Sequence, residues 1–169
     1  MYKQVNFSEL SQQALEQLSR GAFLTVKSED KANTMTIGWG ALGYMWGRPV
    51  FIAMVRYSRY TYELIDKAGD FTISLPAEGE MKGELSFCGR TSGRDCDKFK
   101  GCGINTRGGD TTLSPIIEGC RLFIECKTVY KQPMIKENLN KELRDRWYAD
   151  GDYHVMYYGE ITKACVFEE

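Results

Sequence analysis

Residues 34–55 read TMTIGWGALGYMWGRPVFIAMV. The first part, Thr34 to Trp46, reads as one long strand that carries three glycines. Gly47-Arg48-Pro49 reads as a turn, and Val50–Val55 as a buried strand. Strand, tight turn and strand make an antiparallel unit. Working outward, AFLTVK before it and DFTISL after it read as further strands, as do CRLFIECKTVYKQ and HVMYYGEITKACVF. Helices are few and short. Ser8–Ser19 shows one apolar stripe, with Ser8 as N-cap and Gly21 closing it. A second helix is expected from about Arg59 to Ala68, stopped by Gly69. GEMKGELSF reads as helical, NLNKELRDRWYADG as a turn or two of helix, and Gly89–Gly109 as a long loop with one helical turn. The pattern predicts a β-rich α+β fold, an antiparallel sheet or barrel with helices outside it. A single domain over 1–169 is expected, with 1–20 as an N-terminal helical segment and 21–169 as the sheet or barrel.

Of the 169 residues, 43% are hydrophobic and 27% charged, with a net charge of −1. That balance leaves no broad electrostatic footprint for nucleic acid or an anionic membrane. MYKQVNFSEL has no apolar run of signal-peptide length, and the apolar runs elsewhere are strand-sized. A cytoplasmic location is the expectation. Six cysteines at 88, 96, 102, 120, 126 and 165 form no C-x-x-C pair, and His154 is the sole histidine. No metal site and no disulfide framework is expected. Cys120 and Cys126, within CRLFIEC, read as buried reduced thiols. There is no G-x-G-x-x-G and no P-loop, so a nucleotide would need another mode of binding.

Three segments carry polar chemistry. The glycines of the 34–46 strand need a reason, because glycine weakens a strand. Either the backbone bulges or bends there, or a flat ligand lies against it with Trp39 at its border; Trp39 reads equally as plain core. VRYSRYTYELID, 55–66, sets Arg56, Ser58, Arg59 and Thr61 where a strand becomes a helix. Guanidinium forks, hydroxyls and the free amides of a helix start together suit a phosphate. The alternative is a solvated turn in which Ser58 caps the helix. TSGRDCDKF, 91–99, mixes both signs of charge in a loop, either as exposed salt bridges or as cations that approach a ligand. His154, the one side chain whose ordinary pKa lies near neutrality, reads either as a structural strand residue or as a candidate catalytic group. No nucleophile elbow or catalytic dyad is present, so redox or group chemistry would come from a cofactor.

The order N-T-M-T-x-x-W, G-R-P with an apolar strand, S-R-Y-T-Y-E-L-I, S-G-R-D-x-D-K-F, and G-D-x-H with G-E-I resembles the flavin reductase-like, FMN-binding split-barrel family of flavoredoxin-like type. The resemblance runs from about Gly21 to Ile161. It implies a split β-barrel that forms a homodimer with one FMN per subunit. Ser58, Arg59 and Thr61 would hold the FMN phosphate, with Arg56 near it. Asn33, Thr34, Met35 and Thr36 would run along the ring edge, mostly through backbone groups, and Trp39 would border the ring. Ser92, Gly93 and Lys98 would close the site, Lys98 stabilising negative charge. Where many members read G-D-H, Tyr153 intervenes here, and a one-residue shift in a strand turns a side chain to the other face. Cys96 stands where an apolar residue is common and reads as a small apolar substitute.

The implied activity is that of a flavin-dependent oxidoreductase taking electrons from NADH, NADPH or a redox protein. Alternatives are a non-enzymatic FMN electron carrier of flavoredoxin type, a pyridoxamine-phosphate-oxidase-like barrel with another ligand, and a β-rich binding domain without cofactor.

Overall fold

The computed structural model describes residues 1–168. In chain order it contains β1 (Tyr2–Gln4), α1 (Phe7–Leu18), β2 (Ala22–Ser28), β3 (Lys31–Ile37), β4 (Gly40–Met45), β5 (Arg48–Arg56), α2 (Tyr60–Ala68) and β6 (Asp70–Leu75). There follow α3 (Lys82–Arg90), α4 (Lys98–Gly101), β7 (Thr106–Arg107), β8 (Ile116–Ile117), β9 (Leu122–Pro133), a 3-10 turn at Lys136–Asn138, α5 (Lys141–Trp147) and β10 (His154–Phe167). Eight strands form one antiparallel sheet in the order β3-β2-β6-β9-β10-β5-β4, with β1 pairing the far end of β10. β7 and β8 make a separate two-stranded ribbon.

The segment expected as one long strand is two strands at opposite ends of this order. Only Gly38 and Trp39 separate β3 from β4, so the sheet must curl until its two margins meet. This is the split barrel. β4 instead forms a hairpin with β5, in register from Gly40↔Ala53 to Met45↔Arg48, around Trp46-Gly47. The glycines earlier in the segment have a steric reason: a Cβ at Gly40 would sit 2.9 Å from the Ile52 carbonyl oxygen.

Strand alternation explains which side chains fill the barrel. Leu24 and Val26 of β2, Phe51, Ala53 and Val55 of β5, Phe71, Ile73 and Leu75 of β6, and Tyr157 of β10 meet inside it. α1 lays Leu10, Ala14 and Leu18 against this core. Each such large side chain stabilises the fold by about 1.5–3 kcal/mol when fully buried. α1 starts one residue earlier than expected, and Asn6 rather than Ser8 caps it: the Asn6 side chain accepts the Ser8 amide. On the outer face of β2, Phe23 packs with Leu85 and Cys88 of α3 in a second cluster. Thr72 and Ser74 on the outer face of β6 are buried too, because the Pro115–Ile117 segment covers them. Thr72 Oγ1 donates to the Pro115 carbonyl and Ser74 Oγ accepts the Ile117 amide.

β10 runs fourteen residues and bends at Gly159, where its register with β9 slips. A Cβ at Gly159 would come within 2.5 Å of the Phe71 ring and 2.6 Å of Cys126 Cβ, so the close approach needs glycine. The long Gly89–Gly109 segment contains α4, capped by Asp97, whose carboxylate accepts the Phe99 and Lys100 amides. All six cysteines are free thiols, and Cys120 and Cys126 are buried. No helix among the described residues is long and apolar enough to cross a membrane.

Candidate functional site

The end of β5, the turn into α2, β3, the start of β10 and the loop between α3 and α4 converge at the seam where the sheet margins meet. Two adjoining cavities lie there. The first, about 110 Å³, is lined by Met35, Thr36, Ile37, Gly38, Trp39, Met54, Arg56, Arg59 and His154. The second, about 130 Å³, is bordered by Asn33, Ser58 to Thr61, Arg90 to Arg94 and Lys98. Met35 and Arg59 line both.

The charges of the second cavity are one-sided. Arg59, Arg90, Arg94 and Lys98 border it, and among the described residues no carboxylate does. Arg94 is matched elsewhere by Glu63, 2.5 Å away. Arg59 Nη1 donates to the Gly89 carbonyl at 2.8 Å, and Lys98 Nζ donates to the carbonyls of Thr34 and Cys88 at 2.9 and 2.8 Å. Lys98 is only 4% exposed. Burial pushes its ammonium pKa down. Among the described residues neither the half-buried Arg59 nor the buried Lys98 has an acidic partner, and a buried cation without one is costly unless an anion comes to it. The helix start adds to the positive field. Arg59 occupies the N-cap of α2 in extended conformation, and no side chain caps the first turn.

The structure divides the expected phosphate group of residues. Arg59 and Thr61 border the second cavity. Thr61 is buried, and its hydroxyl accepts the Asn33 side-chain amide at 2.9 Å. Ser58 borders it as well, but its hydroxyl and amide both go to the Asp152 carboxylate, at 2.6 and 3.1 Å. Ser58 is therefore not the N-cap of α2. Arg56 lies at the first cavity, where Nη1 donates to the Asp152 carbonyl and Nη2 to that of Trp147. Its guanidinium stacks over Tyr148, 5.0 Å from the ring centre. Arg56 and Ser58 thus fasten the 147–152 loop to the strand–helix turn.

Along β3, Asn33 borders the second cavity, Thr36 the first, and Met35 both. Thr36 donates its hydroxyl to the Leu85 carbonyl at 2.6 Å. The Thr34 side chain lines neither cavity. It is fully buried against Thr25, and its contribution is the carbonyl that holds Lys98. Ser92 accepts the Arg94 amide with its hydroxyl, which shapes the loop. At Gly93 a Cβ would sit 2.1 Å from Asn33 Oδ1 and 2.8 Å from the Tyr60 ring, so any side chain would displace the Asn33–Thr61 pair.

Trp39 is no core residue. It is 37% exposed in the β3–β4 link and meets Trp147 edge to face at 4.9 Å. His154 lines the same cavity, with Nδ1 2.8 Å from the Tyr148 hydroxyl. Burial first, and then the Arg56 charge, lower its pKa to about 4, so the imidazole is neutral near pH 7. The intervening Tyr153 stacks on Tyr148 at 5.0 Å.

Asp152, Trp147, Tyr148, Met54, Tyr60 and Arg90 were not anticipated at the site. Asp152 stood within the quoted G-D-x-H motif, yet its partner Ser58 is 94 positions away, a pairing no local pattern announces. The mixed charges of 91–99 did signal Arg94. The joint arrangement offers a compartment where Met35, Met54 and Trp39 stand with Arg56 and His154, beside a small cationic one. That suits a ligand with a planar ring system and an anionic tail.

The family model described as flavin reductase like domain matches residues 19–169. An uncharacterized protein of Archaeoglobus fulgidus is 25% identical over 107 residues, which are 63% of this chain and 59% of that protein. The chain thus matches less than two thirds of that relative's length. Flavoredoxin from Methanosarcina acetivorans superposes with a TM-score of 0.69 at 26% identity, over 88% of this chain and 68% of that one. An FMN-binding protein from Thermus thermophilus gives 0.67 at 24%, over 85% and 68%. The NADH:FAD oxidoreductase of Streptomyces globisporus gives 0.67 at 16%, over 87% and 75%. The last two resemblances are of fold.

Proposed function

The chain belongs to the flavin reductase-like family, and on that premise we propose that it binds FMN and passes electrons through it from a reduced nicotinamide or a redox-protein donor. The observation that carries this reading is the second cavity, where Arg59 and Lys98 lack acidic partners among the described residues, beside the first cavity with Trp39 and His154. Gly93 supports it indirectly, since a side chain there would displace the Asn33–Thr61 pair that borders the cavity. Arg59, Thr61 and the uncapped start of α2 would hold the phosphate. Met35, Met54 and Trp39 would exclude water around the ring. Lys98 would supply positive charge, and His154, held neutral, would offer a hydrogen bond without adding a cation. FMN, when bound, accepts electrons singly or as a hydride. The family resemblance also implies a homodimer, which light scattering on the purified protein would test.

The test is an absorption spectrum of the purified protein and, if it is colourless, titration with FMN and with riboflavin. Flavin bands or tight uptake of FMN, with riboflavin held more weakly, are expected. No colour and no uptake would end the proposal. NADH or NADPH is then added to the loaded protein. Bleaching of the flavin assigns a reductase. Retained colour with NADH and NADPH, but bleaching by a reduced redox protein, assigns a non-enzymatic carrier.

A further inference from the structure

Two thiols meet beneath Lys98. Cys88 in α3 and Cys102, which follows α4, have their sulfur atoms 3.9 Å apart. Each is tied to the lysine through backbone. The Cys88 carbonyl accepts from Lys98 Nζ at 2.8 Å, and Cys102 Sγ donates to the Lys98 carbonyl at 3.0 Å. Cys88 is fully buried, whereas Cys102 is partly exposed. They lie fourteen positions apart in the chain, and two helices end at the pair. The sulfurs need approach by only about 2 Å to reach bonding distance. Among the described residues no other pair of cysteine sulfurs meets; Cys120 faces the Met81 thioether instead. Buried reduced thiols are ordinarily inert packing. A solvent-touched sulfur beside a buried one is a different arrangement, because it provides an entry point and a resolving partner.

We propose that Cys88 and Cys102 are a redox-modification site, which a small-molecule disulfide converts to an intramolecular disulfide joining α3 to the end of α4. The exchange begins at Cys102, the more accessible thiol. Its thiolate attacks the small disulfide; a bond forms between Cys102 and one reagent sulfur, and the other leaves as a thiolate and takes up a proton. Cys88, as thiolate, then attacks the Cys102 sulfur. The Cys88–Cys102 bond forms and the second reagent thiol departs. The protein has lost two electrons and two protons, and the reagent has gained both as two thiols. Burial raises both thiols, that of Cys88 to about 12, so both steps accelerate with pH and the second is the slower. The bond would staple the two elements that hold Lys98, and its formation does not depend on which ligand the cavities take.

The experiment incubates the full chain with oxidised glutathione at pH 7 and pH 9, quenches with acid, and maps the peptides by mass spectrometry. The expected product lacks two hydrogens, contains a linked pair of peptides bearing Cys88 and Cys102, forms faster at pH 9, and reverts with dithiothreitol. Cys102→Ser, which keeps a hydroxyl donor for the Lys98 carbonyl, is expected to lose the linkage, and Cys96→Ser to retain it. A glutathione adduct that stays on Cys102 without resolving would overturn the proposal. So would a linkage through Cys96, or no reaction in a chain whose circular dichroism shows it folded.

Discussion

Arg59 is held by one hydrogen bond to a backbone carbonyl and has no carboxylate partner among the described residues, so most of its donor capacity is open to the second cavity. Arg59→Ala and Thr61→Ala should each weaken FMN binding by about 1–3 kcal/mol, the range of a charge-assisted hydrogen bond. Fluorescence titration reads this, and unchanged affinity in both variants would refute the phosphate assignment. His154 makes a second prediction at this scale. Its folded pKa of about 4 lies below the ordinary histidine value, so the unfolded chain takes up a proton before the folded chain does. The stability that comes from keeping it neutral is fully present above about pH 6.5 and is lost progressively as pH falls toward 4. Denaturant melts across that window should show the fall in the parent and a flatter profile in His154→Gln. An equal slope in both would place the effect elsewhere. The residue types at the site were largely legible, because arginine, threonine and lysine announce anion chemistry wherever they sit. Their division of labour was not. Ser58 and Arg56 look like ligand groups in the sequence, and only the fold brings Asp152 and Trp147 to claim them.

Among the elements, most strands follow their apolar runs and most helices their stripes, since both periodicities are local. The break at Gly38-Trp39 was missed because an apolar, β-prone segment carries no mark of which neighbour it pairs with. β1 was missed for a related reason: YKQ is polar, and its strand form depends on pairing with Cys165–Phe167. The segment from Asp110 to Ser114 also has no period of its own. It is shaped by two buried carboxylates. Glu125 accepts the amides of Asp110, Thr111 and Thr112, and Asp70 those of Leu113 and Ser114. Glu125→Ala should therefore cost at least about 3 kcal/mol, because three backbone donors lose their acceptor together. Lys163→Ala, which removes only the partner of the exposed Asp110 carboxylate, should cost no more than about 1 kcal/mol. Urea denaturation of the two variants gives the comparison, and equal losses would contradict the shaping role of Glu125.

Across the whole molecule, the class of fold was legible and its closure was not, because closure is a relation between strands far apart in the pairing order. The residues that border the two cavities come from both margins of the sheet and from its middle: β3 at one end, the β3–β4 link, β5, β10 and the start of α2. A ligand held there touches every part of the seam at once. At one hundred times its dissociation constant it should raise global stability by about 2.7 kcal/mol, and the melting temperature should climb with its concentration. The seam also bears on the order of events as the chain assembles. β3 and β4 are neighbours in sequence but stand at the two ends of the pairing order, so the site along the seam is complete only once the five strands between them have paired. Contacts made after the rate-limiting barrier act on escape from the native state rather than on entry to it. Stopped-flow traces with and without FMN should then show refolding nearly unchanged and unfolding slowed, the ligand serving as the latch on a curled sheet that has already found its shape.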